Sequence, residues 1–418
     1  MSERRNILEL WKNQGRTGQE TLPAQDAKSV LVTLVRVEGS SYRKPGARLL
    51  ACGNTYAGSI SGGCLEGEIL HKAAWITRSG AAVKTYSTLF DDTSDMPYGL
   101  GCGGVVDLLF EPLHLPETQA MLAALECSFA GERLVVATLL PAADSPGAPL
   151  QRIILRGDGT LLFASDSLED ASRDRLADCA RQSLTAKPAP ISSRLLERNG
   201  VDQTEASQES KSVFIETLDP PQRLVIFGAG EDARPLTKLA HLIGWRVVVA
   251  DGRSSLAHAE RFPEAESVHH LAQMGKTVDS IHLTADDAAV LLTHSYEQDR
   301  ALMPQLLPLG LRYLGVLGAR HRSRLLLTES AAQLGWTPEE CLERVHAPVG
   351  LDLGGDAPEA VALAIVAEIQ SALYQREIQH RRMTKKSLLD PPAKPYVPTV
   401  CPVEHLSESL ENATERTQ

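Results

Sequence analysis

The chain of 418 residues is long enough for two or three domains with real cores, and 43% hydrophobic with 23% charged residues is ordinary for a globular protein. A net charge of −11 argues against general nucleic-acid binding, which depends on neutralising phosphates. No apolar run reaches the length of a membrane span and the opening MSERRNILELWKNQG lacks a signal peptide's features, so neither nucleic acid nor membrane is an expected partner and a cytoplasmic protein is expected.

That opening reads as a short helix with Ile7, Leu8 and Trp11 on one face. A first block, 1–116, then carries strand patterns at 30–39, 47–53 and 55–60, with turn residues Ser40, Ser41, Pro45 and Gly46 after the first. SGGC ends the third strand. Helical spacing follows, with Leu65, Ile69, Ala73 and Ile76 on one face, and then strands VKTYSTL and GVVDLLFEPL on either side of the Gly-rich YGLGCGG. The expectation is an α+β module with mixed strands.

A second α+β segment, 117–194, has strands RLVVATLL, RIILR and TLLFAS before a helix from Leu168 to Ala180. Its PGAP…GDGT echoes PGAR…CGNT of the first block, which reads as a degenerate repeat lacking the SGGC turn. Residues 195–212 are polar and read as a linker. From 213 to 379 the short apolar strands RLVIFGAG, WRVVVADGR, AAVLLTH and RYLGVLGAR alternate with helices, the mark of a Rossmann-like, doubly wound parallel sheet. The tail 380–418 is basic, then Pro-rich, then polar, and is expected to be disordered.

Three places offer chemistry. Gly228-Ala229-Gly230 between a strand and a helix has nucleotide-loop form, with free N–H groups at the helix start for an anion; Asp251 ends the next strand, where an acid takes ribose hydroxyls. Gly318 follows a second strand of the same sheet, and His294 with Asp299 follows a third. In the first block, Ser61, Gly62 and Gly63 lead into Cys64, whose place before a helix favours the thiolate; Gly101 and Gly103 flank Cys102. The loop EGSSYRKPGAR adds Arg43 and Arg48 as a phosphate clamp or a solvated hairpin. Of the seven cysteines, Cys52, Cys127, Cys179, Cys341 and Cys401 have no such setting; no CxxC or zinc spacing occurs. From these features alone, an NAD(P)-dependent oxidoreductase and a pure docking adaptor both stay open.

Seven segments taken together resemble the XdhC/CoxI family in order and spacing: VEGSSYRKPGARLL, GSISGGCLEGEI, LGCGGVVDLLFEP, LVIFGAGEDARPL, LTHSYEQDRAL, YLGVLGARHR and HAPVGLDLGGDAPEAVALAIVAEI. The resemblance covers about 30–115 and 213–370. It implies an accessory protein, not an enzyme, that binds molybdenum cofactor (molybdopterin), assists its sulfuration and inserts it into a xanthine dehydrogenase-like apo-molybdenum hydroxylase. A cysteine desulfurase is the second implied partner, and a homodimer stays open. Carried over, Cys64 and Cys102 become the sulfur-handling or molybdenum-contacting residues, while Gly228, Gly230 and Asp251 hold the pterin phosphate, NAD(P) or another nucleotide.

Overall fold

The computed structural model describes residues 3–16, 29–63, 65–87, 104–141, 149–185, 193–197, 212–272 and 280–376. They form two compact units, one within Glu3–Pro220 and one from Pro221 onward.

In the first unit, helix α1 (Glu3–Arg16) precedes strands β1 (Ser29–Gly39), β2 (Arg48–Cys52) and β3 (Thr55–Gly58). Helix α2 (Glu66–Ile76), β4 (Ala82–Ser87) and β5 (Gly104–Pro112) complete an antiparallel sheet of order β3-β2-β1-β5-β4. Leu65, Ile69 and Ala73 of the expected helix face pack on β1, β2 and β5. Helix α3 (Pro116–Ala130) leads to β6 (Leu134–Leu139), β7 (Gln151–Arg156), β8 (Leu161–Ala164), α4 (Asp170–Thr185), β9 (Ser193–Glu197) and β10 (Ser212–Leu218), whose sheet runs β8-β7-β6-β10-β9.

Two sequence expectations are corrected here. Ser193–Glu197 pairs with Ser212–Leu218, which pairs with β6, so the stretch expected as a 195–212 linker begins inside a strand. The second α+β segment therefore runs through β10, and the C-terminal unit starts at Pro221 rather than 213. Both strands are short, and β10 is held by a partner more than seventy residues away, which a local pattern does not report.

The two sheets also share register. Thr33 stands opposite Arg48 as Thr138 stands opposite Arg152, and Leu31 faces Glu111 as Val136 faces Glu216. α2 covers one face of the first sheet and α4 one face of the second. Leu31, Leu50, Leu134, Val136 and Ile154 share a further cluster with α1 and α3. Between the sheets the ion pairs are exchanged: buried Arg48 of β2 meets Glu216 of β10, and buried Arg152 of β7 meets Glu111 of β5 at 2.8 Å. Such reciprocity is the pattern of a two-fold contact between equivalent surfaces.

The second unit is the doubly wound sheet expected from its apolar strands. β11 (Arg223–Phe227), β12 (Arg246–Asp251), β13 (Ser267–His270), β14 (Ala288–Leu291) and β15 (Tyr313–Val316) are all parallel, in the order β13-β12-β11-β14-β15. Alternate strand residues serve opposite faces. Val225, Phe227 and Leu291 pack with the helices Tyr296–Leu306 and Arg320–Leu334, whereas Leu224, Ile226 and Val290 pack with α5 (Ala233–Leu242) and the helix Pro358–Leu373. The order reverses between β11 and β14, and it is at the carboxyl ends of such a reversal that open α/β sheets place ligands.

Candidate functional site

In the first unit the glycine turn is built around a carboxylate. Glu66, in the first turn of α2 and buried, reaches back over the loop that precedes its helix. Its Oε1 accepts from Ser59 Oγ (3.0 Å) and from the amides of Ile60 (2.8 Å), Ser61 (2.8 Å) and Gly62 (3.2 Å). Its Oε2 accepts from Ser61 Oγ (2.6 Å) and the Gly63 amide (2.8 Å). Burial by itself raises this carboxyl, but the bonds from Ser61 and Ile60 outweigh it and hold the group at about 2. Gly62 and Gly63 adopt φ of 83° and 121°, a region that favours glycine, which lets the loop wrap the carboxylate.

The turn Ser61-Gly62-Gly63, which a phosphate clamp at Arg43 and Arg48 would feed as a cofactor-binding site, thus already holds an anion that the chain itself supplies. The clamp cations are committed too. Arg48 is buried against Glu216 and also donates to Gly46 O (2.9 Å), and Arg43 pairs with Glu3 at 2.5 Å. What the turn does instead is fix the loop on either side of position 64. Cys64 itself, with Gly101, Cys102 and Gly103, lies outside the described residues. Reading by residue type missed Glu66 as an organiser; the signal was an acid in the first helical turn directly after a glycine turn.

At the edge of the parallel sheet, Gly228 has φ 123°, and a Cβ there would stand 2.3 Å from Leu292 O. It is glycine because β11 and β14 approach closely, not to admit a ligand. Gly230 differs: its nearest contact for a Cβ is His294 Cδ2 at 3.9 Å, so there is room beside its backbone. Asp251 is fully buried. Its carboxylate accepts from Ala229 N (2.6 Å), Arg253 N (2.8 Å), Arg253 Nε (3.0 Å) and Arg253 Nη2 (2.7 Å). Burial opposes ionisation, yet the Arg253 and Ala229 bonds leave the group below its ordinary value. With those lone pairs taken, Asp251 holds the glycine loop in place and is not presented to a ribose, which corrects its expected role.

The groups that do face this edge come from β14 and its neighbours. His294, at φ 55°, is half-exposed and bonds Asp232 at 2.8 Å through Nε2. Asp232 precedes α5, so the pair bridges the loops after β11 and β14 across the point of reversal. Asp299 is buried beneath, accepting from Thr293 Oγ1 and Arg322 Nη2, both at 2.5 Å. Gly318, at φ 137°, lies in the loop before the helix that carries Arg322, whose Cδ and Nη1 would be 3.4 Å from a Cβ at Gly318. The structure therefore gathers Gly228, Gly230, Asp251 and His294 at one edge, and Asp232 and Arg322 join them unannounced by any motif. Among the described residues no set of three or more His, Cys, Asp or Glu is placed to hold a metal ion. Cys52 and Cys341 are buried, and burial raises the thiols of Cys127, Cys179 and Cys341.

Residues 224–369 match the family model of the XdhC Rossmann domain, and residues 23–87 match that of the XdhC and CoxI family. A protein of Bacillus subtilis (strain 168), named as a probable subunit of xanthine dehydrogenase, is 28% identical over 353 residues, 84% of this chain and 94% of that one. The molybdenum cofactor insertion chaperone PaoD of Escherichia coli (strain K12) is 24% identical over 360 residues, 84% of this chain and 85% of its own length. A crystal structure from Bacillus halodurans, described as a xanthine dehydrogenase, has a TM-score of 0.66 at 27% identity and covers 93% of this chain and 100% of that one.

Proposed function

From the premise that the chain belongs to the XdhC and CoxI family, we propose that it is an accessory chaperone that binds molybdenum cofactor and inserts it into a xanthine dehydrogenase-type molybdenum hydroxylase. The observation that carries this reading is the match, across most of both chains, to a relative named as an insertion chaperone. The geometry at the sheet edge supports it, since Gly230 leaves backbone room for a phosphate at the start of α5. An NAD(P)-dependent oxidoreductase has less support, because the acid that would take the ribose is occupied by Arg253 and Ala229. Among the described residues no helix is long and apolar enough to cross a membrane.

The finer roles belong to the same proposal. Cys64 and Cys102 would supply soft sulfur ligands suited to molybdenum, and a cysteine desulfurase is the partner proposed for sulfuration of the cofactor. Residues 117–218 act as a degenerate copy of the first module, keeping its sheet and its Arg–Glu exchange while lacking the Glu66 turn. The test is co-expression with cofactor biosynthesis, followed by molybdenum and pterin analysis of the purified protein. Wild type is expected to carry both, and Cys64→Ala with Cys102→Ala to carry less molybdenum per pterin. Wild type free of pterin under those conditions overturns the chaperone reading. A double variant loaded like wild type removes the cysteines from it.

A further inference from the structure

Beside the Glu66 turn stands an aromatic ring that has no hydrogen bond or ring partner among the described residues. Tyr42 lies in the loop between β1 and β2 and is 71% exposed, more than any other large apolar or aromatic side chain among the described residues. One side of its ring rests on the loop, since a Cβ at Gly62 would stand 3.2 Å from both Cδ1 and Cε1. Gly62 therefore serves two ends: it takes the positive φ of 83°, and it leaves the space in which the ring lies against backbone. The support beneath is rigid, because Glu66 fastens Ile60, Ser61, Gly62 and Gly63 through their amides.

A large ring held against a fixed loop with its remaining surface in water gains nothing for folding, but it is preorganised for a flat partner. The chemistry around it narrows the partner. The described amides of this turn, those of Ile60, Ser61, Gly62 and Gly63, are all taken up by Glu66 and are not available to a phosphate, so recognition at these residues falls to the ring. We infer that Tyr42 is a cargo-contacting residue that stacks on the planar heteroaromatic ring of a pterin. The inference rests on the chaperone reading and concerns the first unit by itself. Offset stacking on an aromatic face is the favoured geometry for such a pair, and truncating a stacking residue weakens binding of a flat base by about fivefold to somewhat over a hundredfold.

The experiment uses the full chain with 6-hydroxymethylpterin as the probe, read by quenching of pterin fluorescence. It is combined with the pterin content of protein co-expressed with cofactor biosynthesis. Tyr42→Phe keeps the ring and is expected to bind like wild type. Tyr42→Ala removes it and is expected to bind at least fivefold more weakly, with an unchanged melting temperature because the side chain is so exposed. Pterin-bearing wild type with Tyr42→Ala equal to it in affinity and content overturns the stacking role and leaves the chaperone reading standing. Wild type that takes up neither probe nor cofactor overturns both.

Discussion

Glu66→Gln tests whether the first module's glycine turn is organised by a charge. The substitution keeps the shape and one oxygen acceptor, but it sets an NH2 group against the Gly63 amide, where Oε2 accepts at 2.8 Å. A carboxyl held at about 2 rather than 4.5 contributes about 3 kcal/mol to stability at neutral pH. Glutamine recovers part of this through neutral hydrogen bonds, so a loss of about 2 kcal/mol is expected. The folded-state value is depressed, so the contribution is fully present above about pH 4.5 and is lost as pH falls toward 2. Urea unfolding, followed by hydrogen exchange on peptides spanning 59–69, reads the right unit. At pH 7 the variant should exchange faster and unfold at lower urea, and the gap should narrow steadily between pH 5 and pH 3. A gap of the same size at pH 3, or none at pH 7, refutes the view that a buried carboxylate holds this loop.

The exchanged ion pairs make a second test: Arg48→Glu leaves two buried like charges and should cost about 3–5 kcal/mol, while Arg48→Glu with Glu216→Arg should recover much of it, as a double-mutant cycle in urea would show. Gly228→Ala and Gly230→Ala should part company in a thermal melt. The first drives a Cβ to 2.3 Å from Leu292 O and should severely destabilise or unfold the C-terminal unit, whereas the second should leave the melting temperature near wild type. Asp251→Asn should cost about 1–3 kcal/mol in the same unit by mismatching the Arg253 and Ala229 donors, and a variant as stable as wild type would show that the carboxylate is not the loop's anchor.

Much of the C-terminal unit was legible from the chain alone, for a physical reason. Parallel strands buried on both faces must be continuously apolar, so RLVIF, RVVVA and AAVLL declare themselves locally. The face Leu65, Ile69 and Ala73 of α2 likewise follows from helical periodicity. The two strands that close the second sheet did not declare themselves, because their hydrogen bonds come from residues far along the chain.

Residue type announced which side chains can bind an anion or a metal, and only the tertiary structure decided which remain available. Arg48 and Arg43 read as a phosphate clamp, yet folding pairs them with Glu216 and Glu3. Ser61, Gly62 and Gly63 read as a cofactor-binding turn fed by that clamp, and the turn is filled by Glu66. Asp251 read as a ribose acceptor and became the tie that holds its own loop. A buried donor or acceptor must find a partner, and the nearest partner in a folded chain is often another part of that chain. Sequence thus set the family, the parallel sheet and the positions of the glycine turns. Packing decided which groups in and beside those turns still face outward, and among the described residues His294, Gly230 and Tyr42 do.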